Sequence, residues 1–290
     1  MLERIAGITF PIYALVAIGY VYGRRKRPDM GVANQLNMEI FVPALIFAAL
    51  ASKAFDIAQN LPLLLGATVV VLGTGLLAWP MARLLGVATN TFVPPMMFKN
   101  AGNMGLPLAV LAFGEEALPA AVILFLVSNL MHYSLGTWML DHRARLWNLW
   151  RVPVIAAALA GLAVSVLNFP LWQPLWLGVK MLGDVSIPLL LFSLGVRLAD
   201  SRHGDWKLSI AGAITTPLAG LMVALPVIHL FGLEGRDAAM LILFGALPPA
   251  VLNYIFAEQY RQEPERVASI VLVGNAASLL SIPLTLAWVL

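Results

Sequence analysis

Ten apolar runs of about twenty residues, separated by short polar loops, leave this chain few folds to choose from. They lie at 5–23, 32–51, 61–83, 90–113, 118–140, 151–168, 174–196, 207–230, 237–257 and 267–289. About twenty residues of helix span the hydrocarbon core of a bilayer. Inside hydrocarbon a segment has to satisfy its own backbone N–H and C=O groups, so each run is expected to cross the membrane as a helix. Only 11% of residues are charged, against roughly a quarter in soluble domains. The expected fold is an all-α polytopic membrane protein with ten transmembrane helices and no soluble domain between them.

The basic residues orient it. Thirteen fall in loops after odd-numbered runs: Arg24, Arg25, Lys26, Arg27, Arg83, Arg143, Arg145, Arg151, Arg197, Arg202, Lys207, Arg261 and Arg266. Arg4, Lys53 and Arg236 fall on the other side. Cytoplasmic loops carry the basic excess, which puts both termini on the extracytoplasmic side. The net charge of +3 thus concerns membrane topology and implies no nucleic-acid partner. The first run is followed by its basic cluster and lacks a nearby cleavage signal, so it reads as a retained helix. With no cysteine there is no disulfide, thiol chemistry or iron–sulfur site.

The halves match each other. At an offset of 145 residues, Glu39, Pro43 and Phe47 of the second run fall on Asp184, Pro188 and Phe192 of the seventh. At 146, Gly102-Asn103 falls on Pro248-Pro249, and Ser128-Asn129 on Gly274-Asn275. Each half, 1–144 and 145–290, holds five runs. An odd number sends the second half into the membrane from the opposite side, the pattern of a 5+5 inverted repeat.

Run 4 contains Phe98-Lys-Asn-Ala-Gly-Asn-Met-Gly-Leu-Pro-Leu-Ala-Val110, with a charge, two amides, two glycines and a proline inside an apolar segment. Pro107 removes a donor and clashes with the carbonyl four residues back, so a break is expected between Asn103 and Pro107. In run 9, Gly245-Ala-Leu-Pro-Pro-Ala-Val-Leu-Asn253 loses two donors in succession. Paired by the repeat, the breaks in helices 4 and 9 should meet and cross near the bilayer midplane. The N–H groups freed there favour an anion. The candidate substrate site is therefore Lys99, Asn100, Asn103, Pro107, Pro248, Pro249 and Asn253. Lys99 would attract a carboxylate, or else snorkel to an interface. The asparagines would donate N–H to it, or simply cap half-helices. The prolines would shape the site without touching cargo.

A second set is considered for coupling or support. Lys180 and Asp184, four residues apart, share a helix face and can form an internal ion pair. Asp184 could instead carry a coupling proton, and Glu39, with no comparable lysine beside it, is the better proton-carrier candidate, although its place near the cytoplasmic end suits a solvated side chain. Ser128, Asn129 and Asn275 read first as polar glue between helices. A lone His132 could serve a proton relay. Trp138, Trp147, Trp150, Trp172, Trp176 and Trp206 lie near run ends, where aromatic belts form. No Walker lysine, HExxH, paired aspartate or close histidine spacing is present, so neither an enzyme nor a metal or cofactor site is expected.

The ordered motifs NMEIFVPALIF, KNAGNMGLPLAVL, DVSIPLLLFSLGVRLA and GALPPAVLNYIFAEQY resemble the auxin efflux carrier family of membrane transporters over essentially the whole chain. That family includes bacterial permeases for malate and malonate. The resemblance implies a bile-acid-symporter-like fold in the bacterial inner membrane, with a scaffold of spans 1, 2, 6 and 7. Spans 3–5 and 8–10 would form a moving transport domain, with a carboxylate held at the crossover near Asn103, Pro107, Pro248, Pro249 and Asn253. The long cytoplasmic loop of plant members is missing, so its phosphorylation control does not carry over.

The expected function is alternating-access transport of a small organic anion such as malate or malonate, with proton or sodium coupling open and a scaffold-mediated homodimer as a further expectation. Export or uniport of an auxin-like aromatic carboxylate and sodium-coupled anion import are the alternatives within transport. Outside it stand an anion channel and a non-transporting receptor.

Overall fold

The computed structural model describes residues 1–52, 57–142, 152–200 and 205–290, and these are helical almost throughout. Lys53, Arg143, Arg145, Arg151, Arg202, Trp147, Trp150 and the boundary at 144/145 lie outside the described residues. The helices are α1 (Leu2–Lys26), α2 (Gly31–Leu36), α3 (Val42–Leu50), α4 (Ile57–Leu84), α5 (Thr89–Met97), α6 (Leu106–Phe113) and α7 (Leu118–Met131). They continue as α8 (Thr137–Leu140), α9 (Pro153–Val166), α10 (Gln173–Asp200), α11 (Trp206–Phe231), α12 (Gly235–Ala246), α13 (Leu252–Gln259) and α14 (Pro264–Val289). Wider π-turns at Asn37–Phe41, Ala101–Gly105 and His132–Gly136 join α2 to α3, lead into α6, and join α7 to α8.

Among the described residues, seven helical segments are long and apolar enough to cross a membrane. Their outward faces carry Leu76, Met222, Leu230, Leu280 and Leu284, all largely exposed, as lipid-facing surfaces require.

Glycines set the tightest contacts. A Cβ on Gly195 would lie 2.0 Å from the Val16 carbonyl oxygen, and one on Gly19 2.2 Å from that of Phe192, so α1 and α10 touch backbone to backbone. Likewise a Cβ on Gly220 would meet the Gly245 carbonyl oxygen at 1.8 Å where α11 crosses α12. Small residues at such crossings let membrane helices gain dispersion contacts that hydrophobicity cannot supply between them. The packing also runs in pairs: α1 lies on α10 and α9 on α3, while α4 lies on α5 and α11 on α12.

The break in run 4 is not where proline chemistry alone places it. The helix ends at Met97 and resumes at Ala101, so the interruption spans Phe98 to Asn100. Pro107 sits inside the second piece, directly after the π-turn. In that turn Leu106 N–H reaches back five residues to the Ala101 carbonyl. The shifted register lets the helix pass the missing donor of Pro107 without ending. In run 9 the interruption does fall at Leu247–Val251, around the proline pair.

A polar network gathers several helix ends on one face. The Asp205 carboxylate accepts from Leu208 N–H at 3.2 Å and starts α11. Arg266 Nη1 donates to Glu263 at 2.7 Å, and its Nη2 lies 3.9 Å from Asp205. Glu263 also accepts from the Thr91 hydroxyl at the start of α5, while Gln262 Nε2 donates to the Leu140 carbonyl at 3.1 Å. Loops following odd-numbered runs thus meet at one end.

Candidate crossing site

Two interrupted helices share one backbone junction. Asn100 N–H donates to the Pro248 carbonyl at 2.7 Å, and Ala250 N–H donates to the Phe98 carbonyl at 2.9 Å. Lys99 and Pro249 face each other across this antiparallel bridge. Neither proline of the pair has an N–H to offer, so the donors come from the residues beside them. The second pieces, the π-turn with α6 and then α13, start from the same junction, which brings two helix N-termini together. Gly274 of α14 makes room for the bend, since a Cβ there would lie 2.6 Å from Pro249 Cδ.

Side chains complete it. Asn275 Nδ2 donates to the Pro249 carbonyl at 2.9 Å and to the Val271 carbonyl at 2.8 Å, and its Oδ1 accepts from Asn100 Nδ2 at 2.8 Å. Asn253 Nδ2 donates to the Phe98 carbonyl at 3.1 Å and to the Ala250 carbonyl at 2.9 Å. Both Asn253 N–H groups are therefore spent on backbone. Lys99, 2% exposed, turns its ammonium to the Thr216 carbonyl of α11 at 2.6 Å. The remaining ammonium donors have no protein partner among the described contacts. Asn103 is half-buried in the π-turn, and Pro107, Pro248 and Pro249 are buried.

His132 joins this group across a long sequence distance. Its ring stacks on Phe98 with centroids 4.1 Å apart and meets Phe256 edge-on at 5.0 Å. Ser128 is buried one turn earlier. Asn129 bonds its own helix at the Phe125 carbonyl, at 3.3 Å, and lines a small cavity with Tyr133, Phe125, Met38 and Val152.

Three candidates lie elsewhere. Glu39 is exposed and accepts from Gln35 at 3.0 Å. Lys180 and Asp184 form an exposed pair at 3.4 Å, with Glu115 at 4.0 Å from the same lysine. The junction and this surface cluster are separate. Among the described residues no group of three or more His, Asp or Glu is arranged to hold a metal.

Sequence reasoning passed over Phe98, Thr216, Phe256 and Tyr133. The first three surround Lys99 and His132, and nothing in their local spacing marks them. Tyr133 carried a usable signal, four residues after Asn129 on the same helix face.

The chain matches the model of a family described as "Membrane transport protein" over residues 6–146 and 143–286. A protein of Rhizobium meliloti (strain 1021) named "Putative malonate transporter" is 23% identical, over 97% of this chain and 94% of that protein. An uncharacterized transporter of Methanocaldococcus jannaschii is 23% identical, over 96% of each. Auxin efflux carrier component 6 of Arabidopsis thaliana is 24% identical over 62% of this chain and 30% of its own length. The chain is accordingly a transporter and not an enzyme, a member of the membrane transport protein family to which the auxin efflux carriers belong.

Proposed function

We propose that this chain is a secondary transporter for a small dicarboxylate, malonate being the first candidate, and that the cargo binds where the two interrupted helices cross. The observation that carries the reading is the shared junction: two helix N-termini start beside a buried ammonium with no acidic partner among the described residues. Helix N-termini offer unpaired N–H groups to anions, and an uncompensated buried cation costs several kcal/mol that a carboxylate would offset. The Rhizobium meliloti relative named for malonate supports the choice of cargo.

In this reading the ten runs form an inverted 5+5 repeat with both termini outside the inner membrane. The paired packing of α1 on α10 and α9 on α3 supports the repeat. The scaffold is α1–α3 with α9 and α10. The remaining helices move as one body, held by the crossing and by the Asp205–Arg266–Glu263 network, and expose the crossing alternately to the two sides. Asn103 would donate to cargo from the π-turn, and Asn129 and Tyr133 would approach it from the cavity they line beside the scaffold. An inside-negative voltage drives an anion outward by about 2.3 kcal/mol per charge per 100 mV, so uptake needs a coupled ion or an exchanged anion.

The test is counterflow of radiolabelled malonate, with malate beside it, in proteoliposomes. Wild type should exchange saturably, while Lys99→Met should lose exchange by at least about tenfold, the equivalent of about 1.4 kcal/mol. Undiminished exchange by Lys99→Met sinks the role of the ammonium. Conductance far above carrier turnover with no counterflow would instead identify a channel.

A further inference from the structure

We propose that Lys180 with Glu115, and Glu39 with Arg261, are two alternative latches between the scaffold and the moving helices, the first fastened in this arrangement and the second in the opposite one; the inference rests on the carrier reading above. It begins from charged groups that the junction leaves unused. Lys180 lies on α10 of the scaffold and reaches Asp184 of the same helix at 3.4 Å. It also reaches Glu115 at 4.0 Å. Glu115 belongs to the short turn between α6 and α7, both of them moving helices. This ion pair therefore bridges the two bodies on the extracytoplasmic side.

The repeat supplies a counterpart. The offset of 145 that lays Glu39 on Asp184 lays Gln35 on Lys180. The contact is kept as well as the spacing, since Gln35 Nε2 donates to Glu39 at 3.0 Å. The offset of 146 lays Leu118, the first residue of α7, on Pro264, the first of α14, and so lays Glu115 on Arg261. At the outer boundary the scaffold offers a cation to an acid of the moving body. At the inner one it offers an acid, Glu39, to a cation. Opposite signs face each other in both places, with their order exchanged.

The inner pair is apart here. Among the described residues Glu39 accepts from Gln35, and Arg261 forms no ion pair. The acids beside Arg261 are taken, Glu263 by Arg266 and Glu258 by Tyr254.

Depth explains why one latch excludes the other. Lys180 is seven residues into α10, about 10 Å from the end at Gln173. A turn residue that meets it at this depth places the moving body toward the cytoplasm relative to the scaffold. Glu39 is eight residues from Gly31, about 12 Å in from the cytoplasmic end. Arg261 then stands beyond its reach. A shift of the moving body outward by about 10 Å, roughly seven residues of helix, parts Glu115 from Lys180 and brings Arg261 level with Glu39. The two halves of an inverted repeat exchange their arrangements in this way between the two states. Exposure suits the role: the Lys180 and Glu115 side chains are 42% and 80% exposed. An exposed pair shifts an equilibrium by no more than about fivefold, enough to bias a state without trapping it.

The chain has no cysteine of its own, so introduced pairs report each latch directly. Glu115→Cys with Lys180→Cys, and Glu39→Cys with Arg261→Cys, are made in the full-length chain, reconstituted, and treated with a short bis-maleimide that matches the long side chains replaced. Linkage is scored by mass spectrometry and malonate counterflow on the same vesicles. Before linking, both variants should exchange within about fivefold of wild type. Each pair should link, each link should abolish counterflow, and a chain carrying all four cysteines should hold one link or the other, never both. The inference is overturned if either pair fails to link, if one chain carries both links, or if a linked protein exchanges at full rate. Where cysteines disturb folding, charge reversal serves: Glu39→Arg should slow exchange and Arg261→Glu added to it should restore the rate, and no restoration overturns the inference as well. Those results leave the carrier standing. Failure of the folded wild type to exchange either acid refutes the carrier reading itself.

Discussion

Replacing Asn275 with alanine probes how strongly the junction of the two interrupted helices depends on one amide. Three bonds disappear with it: those to the Pro249 and Val271 carbonyls and the one from Asn100 Nδ2. The Val271 carbonyl lies within α14 and keeps its helical partner. Two groups are then newly stranded, the Pro249 carbonyl and the Asn100 amide, both buried. A buried polar group left unpaired costs about 1–3 kcal/mol, so the pair gives about 2–6 kcal/mol. Hydrogen bonds between membrane helices have averaged only about 0.6 kcal/mol, because the unfolded reference also finds partners. The junction is enclosed by protein, which favours the upper scale, and the expected loss is about 2–4 kcal/mol. Unfolding of the reconstituted protein by graded denaturing detergent measures it. The double-mutant cycle with Asn100→Ala should return a coupling of about 1 kcal/mol or more. A loss for Asn275→Ala under about 0.5 kcal/mol, or a cycle that closes to zero, would refute the view that the amides hold the junction.

Gly220→Ala forces a methyl to within 1.8 Å of the Gly245 carbonyl oxygen and should cost about 3 kcal/mol or more. Gly178→Ala, with nothing within 4 Å, should be neutral or stabilise by up to about 1 kcal/mol; thermal melts of the two separate close packing from helix propensity. Asp205→Ala removes the cap of α11 and should cost about 1 kcal/mol by the same denaturation assay. Breaking the exposed Lys180–Asp184 pair with Asp184→Asn should change stability by less than about 1 kcal/mol.

The helices themselves were legible because length and apolarity are local properties. The segment expected at 118–140 is found as α7, a π-turn and α8 over that range, and 90–113 and 237–257 are the two interrupted pieces. The exact break in run 4 was not legible. Pro107 advertises a stop, but the wider turn before it absorbs the missing donor, and the chain opens earlier, at Phe98. The direction of Lys99 was hidden for a different reason: its flexible stem reaches whichever helix stands at its level, and Thr216 belongs to a helix 117 positions on. His132 read as a lone histidine because Phe98 and Phe256, against which its ring packs, come from other runs. What composition and spacing convey is which segments enter the membrane; what they omit is which side chains meet there.

The bridge between Lys99 and Pro249 also sets a timetable for biosynthesis. At about 5–20 residues per second, the ribosome needs roughly 8–30 s to move from one partner to the other. Through that interval the first half of the chain holds Lys99, Asn100 and an open backbone in the bilayer, without the residues that later satisfy them. The nascent protein is thus most exposed to quality-control proteases and to mispairing halfway through its synthesis, and insertion factors that shelter polar segments would matter most for this one helix.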